Sequence, residues 1–399
     1  MNTNMVNRRR NLASNINPYV FASYELSNYF GYVAVIDPVY NKVIKRIPVG
    51  LNPGPMCMDP SEQKLFVVNT SSGSVTVIDT NTFAILKTVR VGTAGSTTTN
   101  PVAVFVGPDG RKAYVANYGD HNVTIIDTST YTVIKNVPMI PDLTGNPGTP
   151  GELGKPFAFA SNKNSSYVSV ACKVADTKDF VVAIDLETDN VHPYNDGIEL
   201  TFDGTHNPLV VHPDGHTQVT LGETGMLTYF GSHEIGFSFV VGSLRNTVSG
   251  VYLDNKMLFC TMQEGLTFLE RFNNLYIDSQ GFIFNGDSTF ISSYKGQDKI
   301  LASSNQSTIC ITIQPTTFPT GGLQIYDVNA ASSRFVPLPY VGDLALVDDI
   351  IAYVGQLTSI QPIDLGNPSN PIPAIPIGTS PSDRVNVKNI ISGYSNRSL

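Results

Sequence analysis

One short pattern returns along the chain and decides most of what it can fold into. Runs of β-branched and apolar residues end in an aspartate as YVAVID at Asp37, VTVID at Asp79, VTIID at Asp127 and VVAID at Asp185. These aspartates are 42, 48 and 58 residues apart. A companion run stands ahead of three of them, as LFVVN (65–69), AYVAN (113–117) and YVSVA (167–171). Over 100–137 the whole unit is legible as four strands, NPVAVFV, KAYVAN, VTIID and YTVIKNV. Pro108-Asp109-Gly110, the polar loop from Tyr118 to Asn122, and Thr128-Ser129-Thr130 separate them. β-Branched and aromatic runs bounded by Gly, Pro, Asn, Asp and Ser are strand signals. A four-stranded unit repeating with a period near 40 to 50 residues cannot cover both of its faces alone. Radial stacking of such units into a β-propeller is the economical solution. No segment keeps a 3.6-residue apolar period over ten residues, which excludes helical repeats.

The motifs resemble the YVTN-repeat β-propeller family, whose blades carry a leading Pro, a DG turn, a YVxN strand, a VxVID strand and a closing VG. Tyr114-Val115-Ala116-Asn117 followed by Ile125-Ile126-Asp127 is a close match, and the resemblance covers about residues 17–190. It fades over 200–340, where GMLTYFG replaces the VID strand, and returns as GLQIYD at Asp327 and QPIDL at Asp364. Counted by these marks the fold is all-β, a propeller of eight four-stranded antiparallel blades, with seven as the alternative. The N-terminal unit begins at PYVFASY, a second strand, and the sequence around Val385 supplies the missing first one. The expected closure therefore pairs a C-terminal strand with the N-terminal blade. Residues 1–16 read as a polar tail and 17–399 as a single propeller domain.

Charged residues make up only 15%, and the net charge of −8 opposes a phosphate-backbone partner. No nucleic acid is expected. No run of about 18 apolar residues exists, so no membrane span is expected either. Arg8-Arg9-Arg10 lacks a following apolar stretch, so no secretory signal is read there. The expected location is cytoplasmic, or a cell or spore surface reached without a standard signal. Cysteines 57, 172, 260 and 310 form no C-x-x-C and read as buried free thiols.

Because strand direction alternates, the second-to-third-strand loops share one face of a propeller with the links between blades. That loop-rich face is the expected binding face. Asn69, Asn117, Tyr118 and His121 fall there, with Lys155, His206 and Asp383 at the leading ends of first strands. These seven are the candidate ligand-binding residues. No catalytic motif is present, so no catalytic residue is assigned, and neither a cofactor nor a metal is expected. His206 and His212 bracket a strand about 20 Å long at roughly 3.3 Å per residue, too far apart to share an ion. The repeated aspartates read as turn residues.

The function expected from these readings is a non-enzymatic binding or structural module. Its partners would be proteins, glycans or further copies of itself. The alternative is a lactonase-like hydrolase, because sugar-lactone hydrolases occur on similar propellers; that alternative rests on fold analogy.

Overall fold

A computed structural model of the protein describes residues 19–27, 30–140, 153–174, 179–193, 200, 207–222, 225–230, 235–240, 247–253, 257–262, 269–277, 283–284, 288–292, 296–315, 321–347, 349–378 and 385–392. Among these residues the secondary structure is all strand and no helix occurs. The N-terminal tail, His206 and Asp383 lie outside the described residues.

The strands form eight four-stranded antiparallel sheets. Seven are each built from one continuous segment: 53–90, 101–138, 155–193, 209–240, 247–292, 297–338 and 344–376. They are blades 2 to 8 in chain order. Blade 1 joins the two ends of the described chain: Val385–Ser392 pairs with Val20–Leu26, which continues through Gly31–Asp37 to Lys42–Pro48. This is the closure read from the sequence around Val385. A small hairpin, Tyr276–Ile277 with Ile283–Phe284, is inserted in blade 6 before its outer strand.

Burial explains why some strands repeat so visibly. The second strands Lys64–Asn69 and Lys112–Asn117, and the third strands Ser74–Asp79 and Asn122–Asp127, are buried over nearly their whole length. Successive side chains point to opposite faces of a sheet, and here both faces meet a neighbouring blade. Leu65 and Val67 join a core shared with blade 1, whereas Phe66 and Val68 join one shared with blade 3. Such strands must be apolar throughout instead of alternating. The outer strands Lys42–Pro48, Ile85–Arg90 and Thr132–Pro138 are mostly exposed and carry the Lys and Arg residues.

The hydrophobic core is accordingly eight clusters, one at each boundary between successive blades. The cluster between blades 8 and 1 includes Tyr24, Ala34, Tyr353, Ile375 and Ile390, so the ring shuts with the same apolar packing used elsewhere. Polar contacts reinforce neighbours on the short-hairpin face. Lys64 Nζ donates to the Thr128 carbonyl of blade 3 (2.9 Å), and Lys112 Nζ to the Leu186 carbonyl (3.0 Å) and to Asp189 (2.7 Å) of blade 4. Tyr353 of blade 8 reaches Asn41 of blade 1 (2.8 Å). On that same face Asp37, Asp79, Asp127, Asp185, Asp327 and Asp364 each accept two following backbone N–H groups on Oδ1, the turn role read from their repetition.

Candidate active site at the boundary of blades 3 and 4

The opposite face carries the second-to-third-strand loops and the blade links. Its best-defined loop joins Asn117 to Asn122, which pair directly, so Tyr118-Gly119-Asp120-His121 is a four-residue connection. His121 takes φ of 57°, the left-handed turn that lets so short a loop close. The loop is tied on both sides. Tyr118 N–H donates to the Asn100 carbonyl (3.1 Å) and Gly119 N–H to the Thr99 carbonyl (3.0 Å) of the preceding link. Asp120 accepts from Thr93 N–H (2.8 Å) and the Ser96 hydroxyl (2.6 Å). On the other side, Met139 N–H donates to the His121 carbonyl (3.0 Å). Gly119 is required by contact: a Cβ there would lie 1.7 Å from the Thr98 carbonyl oxygen.

This strapping fixes the side chains. His121 Nδ1 lies 2.8 Å from the Leu153 carbonyl oxygen. A carbonyl only accepts, so Nδ1 carries the proton and Nε2 of the neutral ring keeps its lone pair. Two residues beyond Leu153, Lys155 begins the inner strand of blade 4 and sets its ammonium 5.4 Å from the Tyr118 ring centroid. A cation at this distance over an aromatic face is attracted by the ring quadrupole. No carboxylate pairs with Lys155 among the described residues. The three side chains are half-buried, between closed core and open solvent. The structure thus brings together Tyr118, His121 and Lys155, giving one loop cluster a ring nitrogen and a cation with no carboxylate partner among the described residues.

Asn69 and Asn117 are fully buried. The Asn69 amide donates to Ser74 and Thr76 and accepts from Gly50 N–H, and the Asn117 amide donates to Asn122 and Thr124. Their side chains turn back into the blade and fasten second strand to third. His212 lies on the far face, buried against Tyr252 and 2.9 Å from Asp214. Among the described residues no group of three or more His, Cys, Asp or Glu side chains is placed to hold a metal.

A second polar set was not read from the sequence. Asp343, just ahead of the inner strand of blade 8, is ion-paired with Lys299 of blade 7. It also accepts from Asn389 Nδ2 (2.5 Å) and Ile390 N–H (2.8 Å) of blade 1, and Asn389 Oδ1 accepts from Met56 N–H (3.1 Å) of blade 2. Asp343 stands at a first-strand leading end, the position that singled out Lys155, so the same criterion applied to GDLALV finds it. Its carboxylate already takes three donors and neutralises Lys299. That arrangement fastens four blades and leaves little for a substrate.

Comparison with known proteins places the chain. Residues 42–263 match the family model described as "Lactonase, 7-bladed beta-propeller". Among solved structures, dihydro-heme d1 dehydrogenase NirN in complex with DHE superposes with a TM-score of 0.69 at 14% identity, covering 97% of this chain and 79% of that one. Citrobacter koseri AztD gives a TM-score of 0.58 at 13% identity, covering 94% and 96%. At these identities the likeness is one of fold. No curated protein matches in sequence. The propeller that the YVTN-like motifs imply is present, but the family matched is the lactonase one. That match overturns the reading of the chain as a non-enzymatic binding or structural module. The lack of a known catalytic motif does not argue against catalysis, because residues brought together from the loops of different blades leave no contiguous motif.

Proposed function

The chain belongs to the lactonase, seven-bladed β-propeller family, although its described residues form eight four-stranded sheets, and from that membership we propose that it is a lactonase-like hydrolase. The family match is the observation that carries the reading; the boundary of blades 3 and 4 supplies groups suited to the chemistry. Hydrolysis of a lactone adds water to the ring carbonyl, breaks the ring C–O bond and leaves a hydroxy acid. His121 Nε2 takes the proton from the attacking water, the general-base role. Lys155 faces the oxygen on which negative charge grows as the tetrahedral intermediate forms, where a fixed cation is worth most. The imidazolium then returns the proton to the departing ring oxygen, so atoms and charge balance within one residue. Tyr118 holds Lys155 in place through its ring face.

The test is acid release from a panel of γ- and δ-lactones by the purified protein, with Lys155→Met assayed alongside. The reading predicts turnover and a fall in kcat of about 10²–10³, the effect of losing one oxyanion-stabilising group. A protein inert toward the whole panel, or a Lys155→Met variant with wild-type kcat, would refute it.

A further inference from the structure

The outer strands of blades 1, 2 and 3 share a surface feature that the stacking of blades does not use. In each, the register with the third strand slips by one residue, and the extra residue is Ile44, Leu86 or Ile134. A lysine follows every time, as Lys45, Lys87 and Lys135. A bulge re-aims the side chain it carries. Here it leaves three large aliphatic groups exposed, at 38%, 39% and 47%. Ile85 and Val133 stand exposed beside two of them. The outer strands of blades 5 and 6 also slip, at Gly236 and Ile291, but Phe237 and Ser292 follow. Those of blades 4, 7 and 8 pair without a slip. The aliphatic–lysine pair therefore belongs to three consecutive blades of the rim.

The same strands, Lys42–Pro48, Ile85–Arg90 and Thr132–Pro138, carry six cations and no acidic residue, in a chain whose net charge is −8. None of the six pairs with a carboxylate among the described residues. Arg46 and Lys135 donate to backbone carbonyls, and Lys42 lies 5.2 Å from the Tyr40 ring centroid. The acids that flank these strands, Asp37, Asp79 and Asp127, sit at their hairpin-face ends with Oδ1 held by turn N–H groups. Charges act over about 8–10 Å at physiological salt, so a partner at the rim meets its cations before the acids of distant blades.

From this juxtaposition we propose that the rim of blades 1 to 3 docks on an anionic lipid bilayer. Ile44, Leu86 and Ile134 enter the boundary between headgroups and hydrocarbon, and Lys45, Lys87 and Arg90 lie against the anionic headgroups. Charge complementarity selects an anionic partner, and the aliphatic groups select one with apolar matter directly beneath its anions, which a bilayer offers. A second copy meeting through the same rim would set cation against cation. An extended acidic peptide would bind a sheet edge by adding a strand, and bulges and lysines on an edge oppose that. Docking of this kind needs no membrane-spanning segment and is independent of the hydrolase reading.

The experiment is co-sedimentation of the full chain with vesicles of phosphatidylcholine, alone or with about 30% phosphatidylserine. Wild type is compared with Lys45→Glu/Lys87→Glu and with Ile44→Ser/Leu86→Ser/Ile134→Ser. A control, Arg111→Glu/Lys163→Glu, makes the same change in net charge on the hairpin face. All seven positions are exposed, and each variant is first matched to wild type in unfolding midpoint. The proposal predicts binding to the anionic vesicles that is lost in about 1 M salt, where screening shrinks to about 3 Å. It predicts binding at least about tenfold weaker in the lysine variant, at least about threefold weaker in the serine variant, and unchanged in the control. No binding to the anionic vesicles, equal binding to phosphatidylcholine alone, or a lysine variant no weaker than the control would overturn it. A serine variant that binds like the wild type would overturn it too, and would point to an acidic macromolecule held by charge alone.

Discussion

Removing residues 379–399 should unfold the whole ring, although it takes away only one strand. The deleted segment carries the inner strand of blade 1, registered against every residue of Val20–Leu26. It buries Val385, Ile390 and Ile391, at 7%, 2% and 8% exposure. Full burial of one such side chain contributes about 1.5–3 kcal/mol, so the three together contribute roughly 5–9 kcal/mol. The deletion also takes Asn389 and the Ile390 N–H from Asp343. Net stabilities of native proteins are about 5–15 kcal/mol, so the loss is of the same size as the total. A graded version is Ile390→Ala, which opens a cavity against Tyr24 and Tyr353 and should cost about 2–5 kcal/mol. Ile44→Ala, at an exposed outer-strand position, should change stability by less than about 0.5 kcal/mol. Denaturant titration followed by circular dichroism reads all three. A truncated protein with the wild-type midpoint, or Ile390→Ala and Ile44→Ala indistinguishable from each other, would refute closure by the C-terminal strand.

Other consequences follow from single contacts. Lys112→Met leaves the Asp189 carboxylate without its cation and should cost about 1–3 kcal/mol, read by the same titration. Hydrogen bonds from the Ser129 hydroxyl, then from Thr130 and Ser129 N–H, hold Asp127 near 2 against an ordinary 3.8, and Thr82 N–H chiefly holds Asp79 down in the equivalent turn. Folded values below unfolded ones add stability that is present above about pH 4 and lost as pH falls toward 2, so the unfolding midpoint should drop across that window; a flat profile there contradicts the turn assignment. Burial pushes the Cys310 thiol up to about 12 and Cys172 upward as well, so thiol reagents at neutral pH should label neither until denaturant is added. Gly119→Ala should displace the His121 loop and abolish lactone hydrolysis while leaving the fold's circular dichroism intact.

How much of this was legible follows from where each residue's partners lie. LFVVN and VTVID were readable because strands packed on both faces must be apolar throughout, and that leaves a run no loop imitates. Closure was readable because PYVFASY has the pattern of a second strand and the sequence around Val385 that of a first. Asn69 and Asn117 were placed on the correct face, but whether an amide points outward or back to Thr76 and Thr124 is decided by cross-strand geometry. Tyr118, His121 and Lys155 were each singled out; their meeting was not visible, since Leu153 and Lys155 come from the next blade. Lys299, Asp343 and Asn389 are more than forty residues apart from one to the next, and nothing local marks them as one network.

The measurement that bears most directly on the account is the rate of acid release from a γ-lactone by wild type and His121→Gln, prepared together and matched in unfolding midpoint. Glutamine keeps the polarity of the position but has no basic nitrogen to take a proton from water. The account predicts turnover by the wild type and a loss of about 10²–10⁴ in the variant, the range for a positioned general base. Equal rates in the two proteins, or no turnover by the wild type on any lactone, would contradict it.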